Sequence, residues 1–150
     1  IAFFKGTGLW KVRASGGEPV QIAQARRPSS GSWNTDGTLL YSVEHGKAIL
    51  TVPSGGGTPR IVRAQRPGVR SALWWPVHVG DGSAFVYSAI DDATGRRTLY
   101  LARMDEASDG ADTPLIINDS NPLVAGDRVF YISDGELKVQ RLDVAAGRLV

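Results

Sequence analysis

Short runs of alternating apolar and polar residues fill the chain, each closed by Gly, Asp, Pro or Ser. In the first of them Leu9, Lys11 and Arg13 fall on one side, and Trp10, Val12 and Ala14 on the other. A period of two is that of a β-strand, and no segment sustains a helical period. The pattern predicts strands over 1–4, 9–13 and 20–23, then 31–33, 38–43, 48–52 and 60–62. It continues with 73–78, 84–88, 98–104 and 115–117, and ends with 122–124, 128–133, 136–142 and 148–150.

The runs recur. LWKVRASGGEP (9–19) aligns with ILTVPSGGGTP (49–59), Val12 on Val52 and Pro19 on Pro59. TLYLARMD (98–105) aligns with ELKVQRLD (136–143), and Tyr41, Tyr87 and Tyr131 mark three equivalent apolar strands. A repeat of about 40 residues holding four short strands is the signature of a propeller blade. The expected fold is therefore all-β: a partial β-propeller of about three and a half four-stranded blades, an arc of a larger ring. The blades are placed at roughly 1–30 (incomplete), 31–70, 71–119 and 120–150 (incomplete). The chain opens inside a strand, so it reads as a piece of a longer protein, and the remaining blades of that protein are its first expected partners.

GSWNTDG (31–37) carries the most specific motif. Trp33-Asn34-Thr35-Asp36-Gly37, followed by an apolar strand, resembles the aromatic–Ser–Pro–Asp–Gly motif of TolB-type, WD40-like propeller repeats. Gly80-Asp81-Gly82-Ser83 is a second copy, and Ala125-Gly126-Asp127 a degenerate third. With VPSGGGTP (52–59) and Trp75-Pro76, the order is similar to the propellers that follow the kinase domain in bacterial membrane-anchored serine/threonine kinases. The resemblance implies a non-catalytic binding or sensor region on the extracytoplasmic (periplasmic) side, holding a protein or a ligand. The other readings are a TolB-like periplasmic scaffold and the propeller of an enzyme, a polysaccharide lyase or a prolyl-oligopeptidase-type peptidase. The kinase signatures themselves are absent from these residues.

The Asp-Gly pairs also read as tight turns on their own chemistry. Glycine tolerates positive φ and aspartate bonds its own backbone two residues on. Gly37 is expected at positive φ, and Trp33 is expected to be wedged between blades.

Composition narrows the chemistry. There is no cysteine, which removes thiolate nucleophiles, disulfides and cysteine-bound metals. Seventeen basic and 15 acidic side chains leave a formal charge of +2, which demands no nucleic-acid partner. No apolar run reaches the roughly 20 residues of a membrane span. His45 reads as a hairpin tip, and His78, on an inner strand, as a lining residue of the central channel. Two histidines far apart in sequence do not make a metal site, and no cofactor is expected. Asp105, Glu106, Asp109 and Asp112 lack the spacing of a calcium loop and read as a solvated insertion. Asn118-Asp119-Ser120 is formally a glycosylation sequon.

Two loops share a further pattern. Ala25-Arg26-Arg27-Pro28 and Ala64-Gln65-Arg66-Pro67 lie one blade apart, and Arg70 follows the second. Both connect an outer strand to the next inner strand, so they emerge on one face. Arg26, Arg27, Arg66 and Arg70 read first as solvated surface charge. Their functional reading is a basic arc for a small anionic ligand or an acidic protein.

Overall fold

The computed structural model describes residues 1–150 and contains 15 strands and no helix. The strands form four antiparallel sheets in chain order. The first has three strands: β1 (Ala2–Lys5), β2 (Gly8–Lys11) and β3 (Val20–Gln24). The second has β4 (Gly31–Trp33), β5 (Thr38–Val43), β6 (Ala48–Pro53) and β7 (Arg60–Ala64). The third has β8 (Ser71–Val79), β9 (Ala84–Asp91), β10 (Arg97–Arg103) and β11 (Thr113–Ile117). The fourth has β12 (Leu123–Ala125), β13 (Arg128–Ser133), β14 (Glu136–Asp143) and β15 (Arg148–Leu149). Each sheet is a meander, and the innermost strand β8 touches both β4 and β12. This is an arc of a β-propeller. No helix is long and apolar enough to cross a membrane.

The core lies in the seams between sheets. Leu9, Ile22 and Ala23 of the first sheet pack on Leu39, Tyr41 and Val52 of the second. Leu40, Ile49 and Val62 pack on Leu73, Phe85 and Tyr87 of the third. Val86, Leu99 and Leu101 pack on Val129, Tyr131 and Leu142 of the fourth. Alternation supplies this directly, because each middle strand sends every second side chain into one seam. At the far end, Leu123, Ile132, Leu137 and Val139 share one face of the fourth sheet and are exposed.

Alternation breaks at one repeated place. In three sheets the outer strand carries a one-residue irregularity: the pairing skips Ile22, Val62 and Leu115, each the third residue of its strand. Such a bulge lets two consecutive side chains turn to the same side. Ile22 and Ala23 are both buried, as are Val62 and Arg63. Arg63 thereby occupies the place that Ala23 and Ile116 hold in the neighbouring sheets, each opposite an equivalent β-strand residue (Ile49, Leu9 and Leu99).

The Asp-Gly turns behave as their chemistry requires. Asp36 Oδ1 accepts the Thr38 N–H at 2.7 Å, and Asp81 Oδ1 accepts the Ser83 N–H at 2.9 Å. Gly37 and Gly82 have φ of 89° and 88°, in the region that side chains disfavour. The Thr38 N–H at Asp36, and the Ser83 side chain followed by its N–H at Asp81, favour the ionised carboxylates and hold both acids below the ordinary value of 3.8.

Trp33 differs from expectation. It is 42% exposed rather than wedged in a seam. The first sheet has no counterpart of β4, so no strand covers that side of the indole. Trp33 instead borders an apolar cavity of about 200 Å³ with Ala2, Phe3, Phe4 and Leu9.

Candidate functional site

The acidic insertion is a built structure, not a solvated loop. It leaves β10, reaches the end of β7, where Ser108 C=O accepts the Ala64 N–H at 2.9 Å, and returns to β11. Arg63 is the reason. Its residue is 1% exposed. Its Nε donates to Asp112 Oδ1 at 2.7 Å and its Nη2 to Glu106 Oε2 at 3.1 Å. The remaining N–H groups reach the carbonyls of Val62, Ala107 and Arg103. The Tyr87 hydroxyl donates to the other Asp112 oxygen at 2.7 Å. Burial, with the Asp112 charge beside it, pushes the Tyr87 phenol well above its ordinary range. A buried guanidinium needs a full set of acceptors, and the insertion supplies three of them through Glu106, Ala107 and Asp112. Asp105 and Asp109 remain exposed.

His78 sits on the innermost strand β8, beside β4 of the preceding blade. Its backbone N–H donates to Ser32 Oγ at 3.3 Å, and the same oxygen lies 3.0 Å from Nδ1. The Ser32 hydroxyl has two acceptor lone pairs and one proton, so beside the backbone bond it pairs with Nδ1 as donor or acceptor according to the ring tautomer. Nε2 is shut off from solvent and has no partner. Burial lowers the His78 pKa below 6.5, opposed by the Asp36 charge. His45 lies far away in the exposed turn between β5 and β6, at φ 57°. No group of three or more His, Cys, Asp or Glu side chains could hold a metal ion.

The four loop arginines are placed on the β3–β4 and β7–β8 connections. Arg26 Nε lies 3.4 Å from Glu44 Oε1, and Arg66 donates to Gly110 C=O. Arg27 and Arg70 are exposed, and Arg70 C=O accepts the Asp92 N–H at 2.8 Å. The sequon asparagine Asn118 is buried, with Nδ2 donating to Ser120 C=O at 2.6 Å.

Sequence reasoning passed over one constellation on the same face. The strand β8 is irregular between Trp74 and Val77, where Trp75 and Pro76 add a bulge. Trp75 has φ 50°, a strained value for a bulky residue before proline. Ser30 Oγ accepts the Trp75 N–H at 3.0 Å and is itself 3.1 Å from the buried Ser42 hydroxyl. The Arg97 guanidinium lies 4.7 Å from the centre of the Trp75 ring. The doublet Trp74-Trp75 ahead of proline was the available signal.

No family model matches the sequence, and no curated protein matches it. Among solved structures, the chain is similar to an oligogalacturonate lyase in complex with manganese, at 21% identity with a TM-score of 0.61. The match covers 95% of this chain and 41% of that one, so the chain spans well under half the length of the structure it matches. The likeness establishes the propeller fold. It also corrects the expectation of a non-catalytic segment, because a propeller of this shape is found in a lyase and the fold gives no ground for setting catalysis aside.

Proposed function

We propose that these residues are part of the propeller of a polysaccharide-acting enzyme of the lyase kind. The observation that supports this is the likeness to oligogalacturonate lyase over 95% of the chain. The contribution proposed for the chain is the channel wall, formed by β4, β8 and β12. Manganese, present in the similar structure, finds no complete ligand set among these residues. His78 has one free ring nitrogen, His45 lies elsewhere, and no cluster of three ligating side chains exists.

A lyase breaks its substrate by elimination and leaves a new carbon–carbon double bond. The test is incubation of the full-length protein with oligogalacturonate, with and without added manganese, followed by ultraviolet absorbance of the unsaturated product. Rising absorbance is the expected result. A flat trace under both conditions, with a known lyase active in parallel, overturns the proposal.

The receptor-kinase reading is supported by the order of motifs, from Gly31–Gly37 through Val52–Pro59 to Trp75-Pro76. Reading the parent gene decides it: a kinase domain and one membrane span are required.

A further inference from the structure

We propose that Arg97, held on the face of Trp75, is the carboxylate-binding group of a ligand site on the third blade, at the end where Arg97 opens β10. The reasoning starts from charge. Arg97 is half-buried, yet the ion pairs of the chain involve other groups, and Arg97 has no carboxylate within 4.0 Å. Its side chain makes one long hydrogen bond, from Nη1 to Asn121 Oδ1 at 3.4 Å. Nε is sealed from solvent without an acceptor. A guanidinium with one nitrogen desolvated and its Nη donors open and uncompensated favours an anion beside it.

Of the carboxylates on the flanking connections, Asp91 and Asp119 are committed elsewhere, and Asp92 is exposed and forms no ion pair with Arg97. Asp91 Oδ1 accepts the N–H groups of Ala93 and Thr94 at 3.1 and 2.8 Å and the Thr94 hydroxyl at 2.7 Å. Asp119 Oδ2 accepts the Asp134 N–H at 3.0 Å. A second orphan lies alongside: Asn118 is 3% exposed, and its Oδ1 has no partner. Its backbone N–H donates to Arg97 C=O at 3.3 Å, so the two residues share one corner.

The platform is rigid. The Trp75 conformation is strained, and such strain persists only where the surroundings impose it. Here the Ser30 hydroxyl and the following Pro76 impose it, and the Trp75 ring is thereby set under the guanidinium. A ligand carboxylate meets the outward Nη groups of Arg97, Asn121 offers an amide to a neighbouring hydroxyl, and the indole edges border the site. The site does not depend on the lyase reading: carboxylate binding without elimination leaves it intact, and elimination without Arg97-dependent binding removes it.

Titration calorimetry on the full-length protein tests this with three probes: galacturonate, galactose and acetate. Galacturonate should bind, and Arg97→Met should weaken it by about tenfold or more, the loss of one charge-assisted hydrogen-bond set. Arg97→Lys, which keeps charge but not the planar fork, should fall between the two. Acetate binding as strongly as galacturonate, with the same dependence on Arg97, would mark a simple carboxylate site. Weaker acetate binding would mark an acidic-sugar site. Equal affinity in wild type and Arg97→Met, equal affinity for galactose, or no binding of either carboxylate overturns the proposal.

Discussion

Arg63 and Arg97 are both drawn out of water beside an aromatic ring, and their surroundings are opposite. Arg63 lies 5.7 Å from the Phe85 ring centre and is closed in by two carboxylates and three carbonyls. Arg97 lies closer to its ring, at 4.7 Å, and has one long hydrogen bond. Every donor direction of Arg63 is spent on the chain itself, three of them on an insertion that exists nowhere else in the repeat. The chain makes no such provision for Arg97. A guanidinium completed from within ties two blades together. One left incomplete at the rim is available to something from outside.

Removing Arg63 should have the largest effect. Asp112 would be left as a buried carboxylate without its partner, and Arg63→Met should cost about 3–5 kcal/mol. The exposed Glu106 arm adds little to that figure. Urea denaturation would show it, and a midpoint close to wild type would break the contrast. Tyr87→Phe, which deletes the hydroxyl bonded to Asp112, should cost about 1–2 kcal/mol. Gly37→Val should cost about 1 kcal/mol or more, because its φ is positive and a Cβ there would stand 3.2 Å from Ser54 Oγ. An unchanged midpoint would mean that the turn tolerates a branched residue. Trp33→Ala should cost less than the roughly 3–5 kcal/mol of a buried tryptophan, since the indole is half-open.

The smallest effect concerns pH. Burial lowers the folded-state pKa of His78, so the unfolded chain takes up the proton first. The contribution is fully present above the ordinary value of 6.5 and is lost as pH falls through the depressed folded value. His78→Gln should flatten that part of the stability profile. A profile identical to wild type between neutral and mildly acidic pH would assign the slope to other groups.

The strand pattern was legible because most positions obey simple alternation. The strands at Thr38–Val43 and Arg128–Ser133 run over the residues that the pattern predicts. Gly37 and Gly82 were legible because few residues fit such turns. The two arginines were not. Arg63 in RIVRA reads as an outward position, and only the bulge at Val62 turns it inward. A bulge adds one residue without changing composition, so alternation cannot reveal it. The same holds for Trp75, whose left-handed bulge brings it to Arg97, a residue 22 positions later in sequence. The loop arginines drew notice because they repeat. Arg97 stands where the second unit has Lys47 and the first has Thr7, so its position repeats and only its guanidinium, set on Trp75, belongs to the third blade alone.

The contrast between the two arginines is tested most directly by urea denaturation of Arg97→Met beside wild type, each with and without galacturonate. Without ligand the stabilities should agree to within about 1 kcal/mol, because only a ring contact and one long hydrogen bond are lost. With ligand, wild type alone should shift upward, as binding to the folded state requires. An Arg97→Met variant destabilised as severely as Arg63→Met, or one that keeps the full ligand-dependent shift, would contradict the account.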